Sequence, residues 1–192
     1  MVITLLRLYL LAGLVLHKAV WEVLKRNPAT SIPVPRQGLP ARVRILKLIK
    51  LAVLLGLVTQ TFLPTILPIA EDPRVLQAVG VSLYTLGLAV ALAARWQLGG
   101  NWSDIEVGSV RKDHAIVCSG VYRYIRHPIY TGDILLILGF ELALNSWLVL
   151  GVVPIAGVAI SRALAEEQSL ARSLSEYDQY RARTKRFVPF IY

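Results

Sequence analysis

The chain has 192 residues, of which 55% are hydrophobic and 17% charged, and its mean hydropathy of +0.56 excludes an ordinary soluble domain. Lys and Arg outnumber Asp and Glu by 21 to 12. These basic residues flank long apolar runs instead of alternating with aromatics, which argues against a nucleic-acid-binding protein. The single cysteine, Cys118, rules out an intrachain disulfide and a cysteine-based metal site. We therefore predict an all-α integral membrane protein that forms one domain.

Five apolar segments predict about five transmembrane helices, at residues 2–23, 51–69, 75–94, 129–144 and 147–160. The first three are long enough to span alone, since a span needs about 20 residues. The last two have only about 14 to 16 residues, so we expect them to form a helical hairpin with Asn145 and Ser146 at its tip. Four prolines make residues 27–50 an irregular loop. Arg7 within the first apolar run, without a cleavage site, predicts a retained first helix.

The basic residues predict the orientation of these helices. Of the 21 Lys and Arg, all except Arg7 and Arg74 lie between the end of the first segment, from Lys18, and the start of the second, in the connection after the third, or in the C-terminal tail. Since positive residues stay inside, we expect these three regions to share the cytoplasm and the N-terminus to lie outside. The two regions richest in reactive side chains thus lie on one side of the membrane.

Two polar motifs stand out in those regions. The first is G-V-Y-R-Y-I-R-H-P-I-Y-T-G, from Gly120 to Gly132, and the second is R-A-L-A-E-E, beginning at Arg162. Proline lacks an N–H and restricts the residue before it, so His127-Pro128 predicts an extended turn whose carbonyls remain available to a ligand. Arg162 and Glu166 lie four apart, on one face of a helix. Without a G-x-G-x-x-G loop, a Rossmann-type fold is not indicated.

With these motifs, and with E-Y-D-Q-Y from Glu176, the chain resembles the isoprenylcysteine carboxyl methyltransferase family and its prokaryotic relatives. The likeness covers roughly residues 98–189. It departs at Leu174-Ser175, where the family often has Phe-Gly. The resemblance implies a membrane methyltransferase that uses S-adenosylmethionine, with a cytoplasmic cofactor pocket formed by the C-terminal half. Residues 1–95 then supply the N-terminal transmembrane helices and the basic loop, and residues 96–192 form the catalytic region.

The resemblance also assigns roles to individual residues. It implies that Arg162 orients the substrate and that Glu166 is catalytic and contacts the cofactor. The implied cofactor-binding residues are His114, Ala115, Ile116, Val117, Tyr122, His127, Pro128, Ile129, Tyr130, Glu166 and Glu167. Tyr180 and Arg186 match the family's ending and would help to close the pocket. Apart from the resemblance, a donor with a cationic sulfur and an adenine face needs carboxylates and aromatic rings nearby. Asp133 directly follows the first motif, so we expect this carboxylate to lie near the site.

We expect methyl transfer to a lipidic or lipid-attached acceptor. A carboxylate acceptor is favoured because an arginine can hold it, and because it is already ionised at neutral pH and needs no general base. Three alternatives stay open at this point. Phospholipid amine methylation would leave Arg162 without a use, a sterol-type NADPH reductase is generally longer, and a non-catalytic membrane scaffold would not need the clustered Tyr, His and Glu.

Overall fold

The computed structural model describes residues 2–25, 41–63, 65–99 and 116–191. Within these ranges the regular secondary structure is helical, joined by short irregular connections and without a β-strand. The six α-helices are α1 (Val2–Lys25), α2 (Ala41–Phe62), α3 (Arg74–Leu98), α4 (Pro128–Ala143), α5 (Val152–Ser173) and α6 (Tyr177–Arg183). Short 3₁₀ turns at Gly120–Arg123 and Trp147–Gly151 precede α4 and α5. The predicted all-α class is confirmed.

Four helical segments are long and apolar enough to cross a membrane: Thr4–Leu24, Val43–Phe62, Arg74–Leu98 and Trp147–Ser173. The protein is therefore an integral membrane protein. The fourth predicted segment became α4, whose 16 residues are fewer than the roughly 20 that a span needs. The fifth continues past residue 160 to Ser173, because residues 161–173 are mostly good helix formers.

The second helix lies earlier in the chain than predicted. We expected it at residues 51–69 within an irregular loop that extended to Lys50, but α2 begins at Ala41 and ends at Phe62. Lys and Arg are good helix formers, and their long stems can lie along apolar surface, so the basic residues continue the helix instead of ending it. Residues 26–40, with the remainder of that loop, lie outside the described residues.

The antiparallel helices α3 and α4 form the closest contact in the fold. Their backbones meet at four glycines, namely Gly80 and Gly87 on α3 and Gly132 and Gly139 on α4. A Cβ atom at Gly80 would lie 2.3 Å from the backbone nitrogen of Ala143, and one at Gly87 would lie 2.4 Å from that of Leu136. Small residues permit this approach, which favours helix association within a membrane. We call this contact the glycine seam.

Helix α1 packs against the α3–α4 pair through a buried apolar cluster. Tyr84 and Phe140 lie at its centre, with Leu10 and Leu14 of α1 against them. The Tyr84 hydroxyl donates a hydrogen bond of 2.5 Å to the backbone carbonyl of Leu10, which satisfies the one polar group that this aromatic brings into the core.

The tip of the α4–α5 hairpin is docked onto the connection between α2 and α3. Asn145 has a φ of 55°, and its Oδ1 accepts hydrogen bonds from the backbone nitrogens of Ile69 and Ala70 at 3.1 and 3.0 Å. Its Nδ2 donates to the Ala70 carbonyl at 2.8 Å. The predicted tip is confirmed. It lies at the C-terminal end of α4, about 24 Å along the helix from His127 at the rise of an α-helix.

Candidate functional site

The N-terminal end of α4 is held by residues 184–191, which follow α6 and which we call the tail. Pro128 occupies the first turn of α4, where its missing N–H costs nothing. The residues just before it are fixed by the tail, since the backbone nitrogens of Arg126 and His127 donate to the carbonyls of Lys185 and Arg186 at 2.8 and 3.1 Å. The turn at His127 and the tail therefore form one unit beside the C-terminal half of α5.

A buried carboxylate joins these three elements. Glu167 on α5 accepts hydrogen bonds from Nε of Arg126 at 2.9 Å and from Nε and Nη2 of Arg186 at 3.1 and 3.0 Å. His127 Nε2 lies 3.1 Å from its Oε1. A buried charge is tolerated only when it is paired in this way. We call these four residues the Glu167 cluster, and its partners come from the turn before α4 and from the tail.

The imidazole of His127 lies between the two adjacent glutamates of α5. Nε2 faces Glu167, and Nδ1 lies 3.9 Å from Oε2 of Glu166. The ring is flanked by Tyr130 and Phe187, each with its ring centroid at 5.7 Å. Hydrogen bonding to Glu167 sets the orientation of the ring, so that its other nitrogen faces Glu166.

The backbone carbonyl of His127 is not available to a ligand, contrary to our expectation. It accepts hydrogen bonds from the backbone nitrogen and the hydroxyl of Thr131, both at 3.1 Å. His127 has a φ of −121° and a ψ of 54°, so the extended conformation predicted before proline is wrong. Its carbonyl instead accepts the first hydrogen bond within α4. The ligand-binding groups of this turn are therefore side chains.

Glu166 is the more open member of the glutamate pair, with 24% of its side chain exposed against 5% for Glu167. The Tyr130 hydroxyl forms a hydrogen bond with the Glu166 carboxylate. The buried Tyr122 lies within electrostatic range of the same carboxylate. Burial raises the pKa of the Tyr122 phenol, and the negative charge of Glu166 raises it further. Tyr180 holds Tyr122 in place, because the Tyr180 hydroxyl donates a hydrogen bond of 2.8 Å to the Tyr122 backbone carbonyl.

The structure thus brings five of the expected site residues together: Tyr122, His127, Tyr130, Glu166 and Glu167. Pro128 is buried and Ile129 partly buried at the start of α4, and Ile116 and Val117 lie partly buried ahead of the 3₁₀ turn. Arg162 is on α5 one turn before Glu166 and is also partly buried. His114 and Ala115 lie outside the described residues.

Two further ionisable residues of α4 pair with side chains of other helices. Asp133 pairs with His17 of α1, whose Nε2 is 3.0 Å from its Oδ1, and the His17 ring stacks on Trp21 at 4.4 Å. Glu141 lies near the hairpin tip, where it accepts a hydrogen bond of 3.0 Å from Gln60. Asp133 therefore joins α4 to α1, and Glu141 joins α4 to α2.

Sequence reasoning missed the Glu167 cluster as a unit and missed His17 entirely. The partners of Glu167 lie 19 to 41 positions away in the chain, so no local spacing links them. The available signal was the presence of several charges in otherwise apolar surroundings, which must be paired. Across the described ranges, no group of three or more His, Cys, Asp or Glu is placed to hold a metal ion.

The chain is similar in sequence to a methyltransferase family and to several curated proteins. A family model described as phospholipid methyltransferase matches residues 75–176. Protein-S-isoprenylcysteine O-methyltransferase of Schizosaccharomyces pombe is 29% identical over 120 residues, which are 61% of this chain and 51% of that protein. The cobalt-zinc-cadmium resistance protein CzcN of Cupriavidus metallidurans is 36% identical over 110 residues, covering 56% and 49% of the two chains. The chain spans about half the length of these curated relatives.

A solved structure, that of the eukaryotic intramembrane Ras methyltransferase ICMT, superposes with a TM-score of 0.57 at 20% identity. The match covers 77% of this chain and 53% of that one, and at this identity it establishes a shared fold. Together with the sequence relatives, it confirms the resemblance that was inferred from the two motifs.

Proposed function

Because the chain belongs to the phospholipid methyltransferase family, we propose that it transfers a methyl group from S-adenosylmethionine to the carboxylate of a lipidic or lipid-attached acceptor. The observation that carries this proposal is the position of Glu166, partly open and beside His127 and Tyr130. Its neighbour Glu167 is already paired with two arginines. Glu166 is thus the carboxylate available to a cationic ligand.

The residues around Glu166 fit such a donor. A carboxylate and aromatic faces together suit a ligand that carries an amino group, a purine ring and a positive sulfur. We assign this role to Glu166, Tyr122 and Tyr130, with residues 116–117 at the edge of the pocket, and expect His114 and Ala115 to complete it. When bound, S-adenosylmethionine supplies a methyl group on a positively charged sulfur.

The chain's own contribution is positioning and exclusion of water. A carboxylate acceptor is ionised at neutral pH, so no residue has to remove a proton. Arg162 holds the acceptor through charge-assisted hydrogen bonds, one helical turn from Glu166. Fixing both reactants in line removes most of the entropic barrier to the displacement. The Glu167 cluster keeps His127 and α5 in place while this happens.

We infer that the site opens on the cytoplasmic side and that the N-terminus lies outside, from the distribution of Lys and Arg. Cys118 is exposed near the site, and Glu71 is exposed in the connection between α2 and α3, at the opposite end of α3. In inverted membrane vesicles, an impermeant maleimide should label Cys118. In a Cys118→Ser background it should not label Glu71→Cys. The reverse pattern would overturn the orientation.

Donor binding is the first test. Calorimetry with detergent-purified protein should show saturable binding of S-adenosylmethionine, weakened about tenfold or more by Glu166→Gln through loss of a charge-assisted contact. The matched control is Glu176→Gln, at an exposed glutamate outside the site, which should bind as the wild type does. Failure of well-folded wild-type protein to bind would contradict a methyltransferase.

The acceptor is tested separately, with a prenylcysteine carboxylate and phosphatidylethanolamine offered in parallel. Arg162→Gln should raise KM for the carboxylate and leave the donor Kd unchanged. If the protein methylated only phosphatidylethanolamine, and Arg162→Gln left that activity unchanged, the carboxylate proposal would be wrong. The reaction would then be amine methylation, which the description of the family model also suggests. A sterol-type reductase or a scaffold is not favoured, because the named enzymes among the relatives are methyltransferases.

A further inference from the structure

A concave surface lies beside the C-terminal half of α5. It is a cleft of about 400 Å³ between the last turns of α5 and the region of α6 and the tail. Leu164, Gln168, Ala171 and Arg172 line it from α5, while Arg181 and Arg186 close it from the other side. The buried Glu167 carboxylate forms its inner wall. Apart from Glu167 and Arg186, which the family resemblance placed at the cofactor pocket, the residues that line this cleft have no assigned role in donor or acceptor binding.

The cleft is strongly basic. Arg186 is neutralised by its pair with Glu167, but Arg172 and Arg181 are exposed, and neither side chain pairs with a carboxylate in the part of the chain that the structure describes. Two unneutralised guanidinium groups therefore face one cavity. Guanidinium groups bind phosphate oxygens through paired N–H donors, so the chemistry of the cleft suits a phosphate anion.

The apolar side of the cleft continues along α5. Val153, Gly157, Ile160 and Leu164 are exposed and follow one another at intervals of three and four, which places them on one face of the helix. Gly157 has open space where a Cβ would stand, so the face carries a shallow depression. Since α5 is one of the membrane-crossing segments, this face meets hydrocarbon and leads directly to the arginines at the helix end.

We propose that this cleft binds the phosphate headgroup of an anionic phospholipid, with an acyl chain along the exposed face of α5. The cleft combines a phosphate-binding arginine pair with a continuous apolar track, in the order that a lipid presents from headgroup to tail. A free phosphate ion could bind the two arginines, but it has no apolar part to contact the exposed face of α5. This lipid is distinct from the methyl acceptor, and its binding does not depend on the proposed reaction.

Native mass spectrometry of detergent-purified protein tests the proposal, with dioleoylphosphatidylglycerol and dioleoylphosphatidylcholine as probes. We expect retained phosphatidylglycerol adducts and few phosphatidylcholine adducts. Arg172→Gln and Arg181→Gln should each weaken phosphatidylglycerol binding about fivefold, and the double variant roughly 25-fold. The matched control is the double variant Arg183→Gln/Lys185→Gln, which removes the same charge from exposed positions of the same region and should bind as the wild type does.

Three outcomes would overturn the proposal. Equal loss of binding in the two double variants would mean that general charge attracts the lipid, and unchanged binding in Arg172→Gln/Arg181→Gln would mean that the cleft is not the site. A third arm adds inorganic phosphate, which should displace the lipid only at far higher concentration. Displacement at matched concentrations would show that the site takes free phosphate. Thermal unfolding of each variant confirms that the comparison is between folded proteins.

Discussion

Glu167 and Arg186 form a two-point ion pair, with Nε and Nη2 of the arginine at 3.1 and 3.0 Å from Oε1 and Oε2 of the glutamate. The pair connects α5 to the tail, and Arg186 lies beyond the residues 75–176 that the family model matches. Lysine keeps the charge but cannot reproduce the paired geometry. Arg186→Lys should therefore lower the free energy of unfolding by about 1.5 to 3 kcal/mol, measured by chemical denaturation in detergent. Arg183→Lys, at an exposed position, is the control, and equal stability of the two variants would contradict the role of the pair.

The glycine seam predicts a large difference between two alanine substitutions. Gly87→Ala forces a Cβ to within 2.4 Å of the Leu136 backbone, and overpacking of this kind costs about 1 to 3 kcal/mol. Gly157→Ala meets no atom within 4 Å and exchanges glycine for a better helix former. The first variant should lower the melting temperature, and the second should leave it unchanged or raise it. A similar melting temperature for both would mean that α3 and α4 are further apart than described here.

The hairpin tip predicts graded effects at Asn145. Asn145→Ala removes the three side-chain hydrogen bonds to Ile69 and Ala70 and places alanine at a φ of 55°, so it should cost about 1 to 3 kcal/mol. Asn145→Gly loses the same three hydrogen bonds but adopts a positive φ without strain, so it should cost less than alanine does. The melting temperatures of the two variants give the order, and an alanine variant as stable as the wild type would indicate that the tip is not docked.

Buried phenols predict the response to alkaline pH. Burial raises the pKa of Tyr122, Tyr177 and Tyr180, so above pH 10 the unfolded chain loses phenolic protons that the folded protein keeps. The unfolded state then binds fewer protons, and the free energy of unfolding falls as the pH rises through this range, with no change below it. Denaturation at pH 8, 9, 10 and 10.5 should show this fall. It should be shallower in Tyr177→Phe, and an identical slope in that variant would contradict the assignment for Tyr177.

Several features of the fold followed from local sequence alone. The hairpin tip was predictable because the polar pair Asn145-Ser146 interrupts a continuous apolar run. The start of α2 at Ala41 and the end of α5 at Ser173 were not, because charged residues interrupt the apolar sequence in both extensions. Hydropathy locates the part of a helix that lies in lipid, whereas helix propensity continues beyond it.

The site was only partly accessible to sequence reasoning. His127, Tyr130 and Glu166 were identified through the two motifs, and the structure brings them together. The pairing of Arg126 and Arg186 with Glu167 could not be read from spacing, because the three residues meet only when the tail folds back. The His17–Asp133 pair was inaccessible for the same reason, since α1 lies outside the region that carries the motifs.

The glycine seam also determines which parts of the protein can move. Because no side chain separates the backbones of α3 and α4 at the four glycines, a shift of one helix past the other would drive a Cβ or a carbonyl into the opposite chain. The two helices therefore act as one rigid body, and the turn at His127, which leads directly into α4, is fixed to it. We therefore expect relative movement of the helices at the borders of α1 and α5, where side chains make the contacts with the α3–α4 pair.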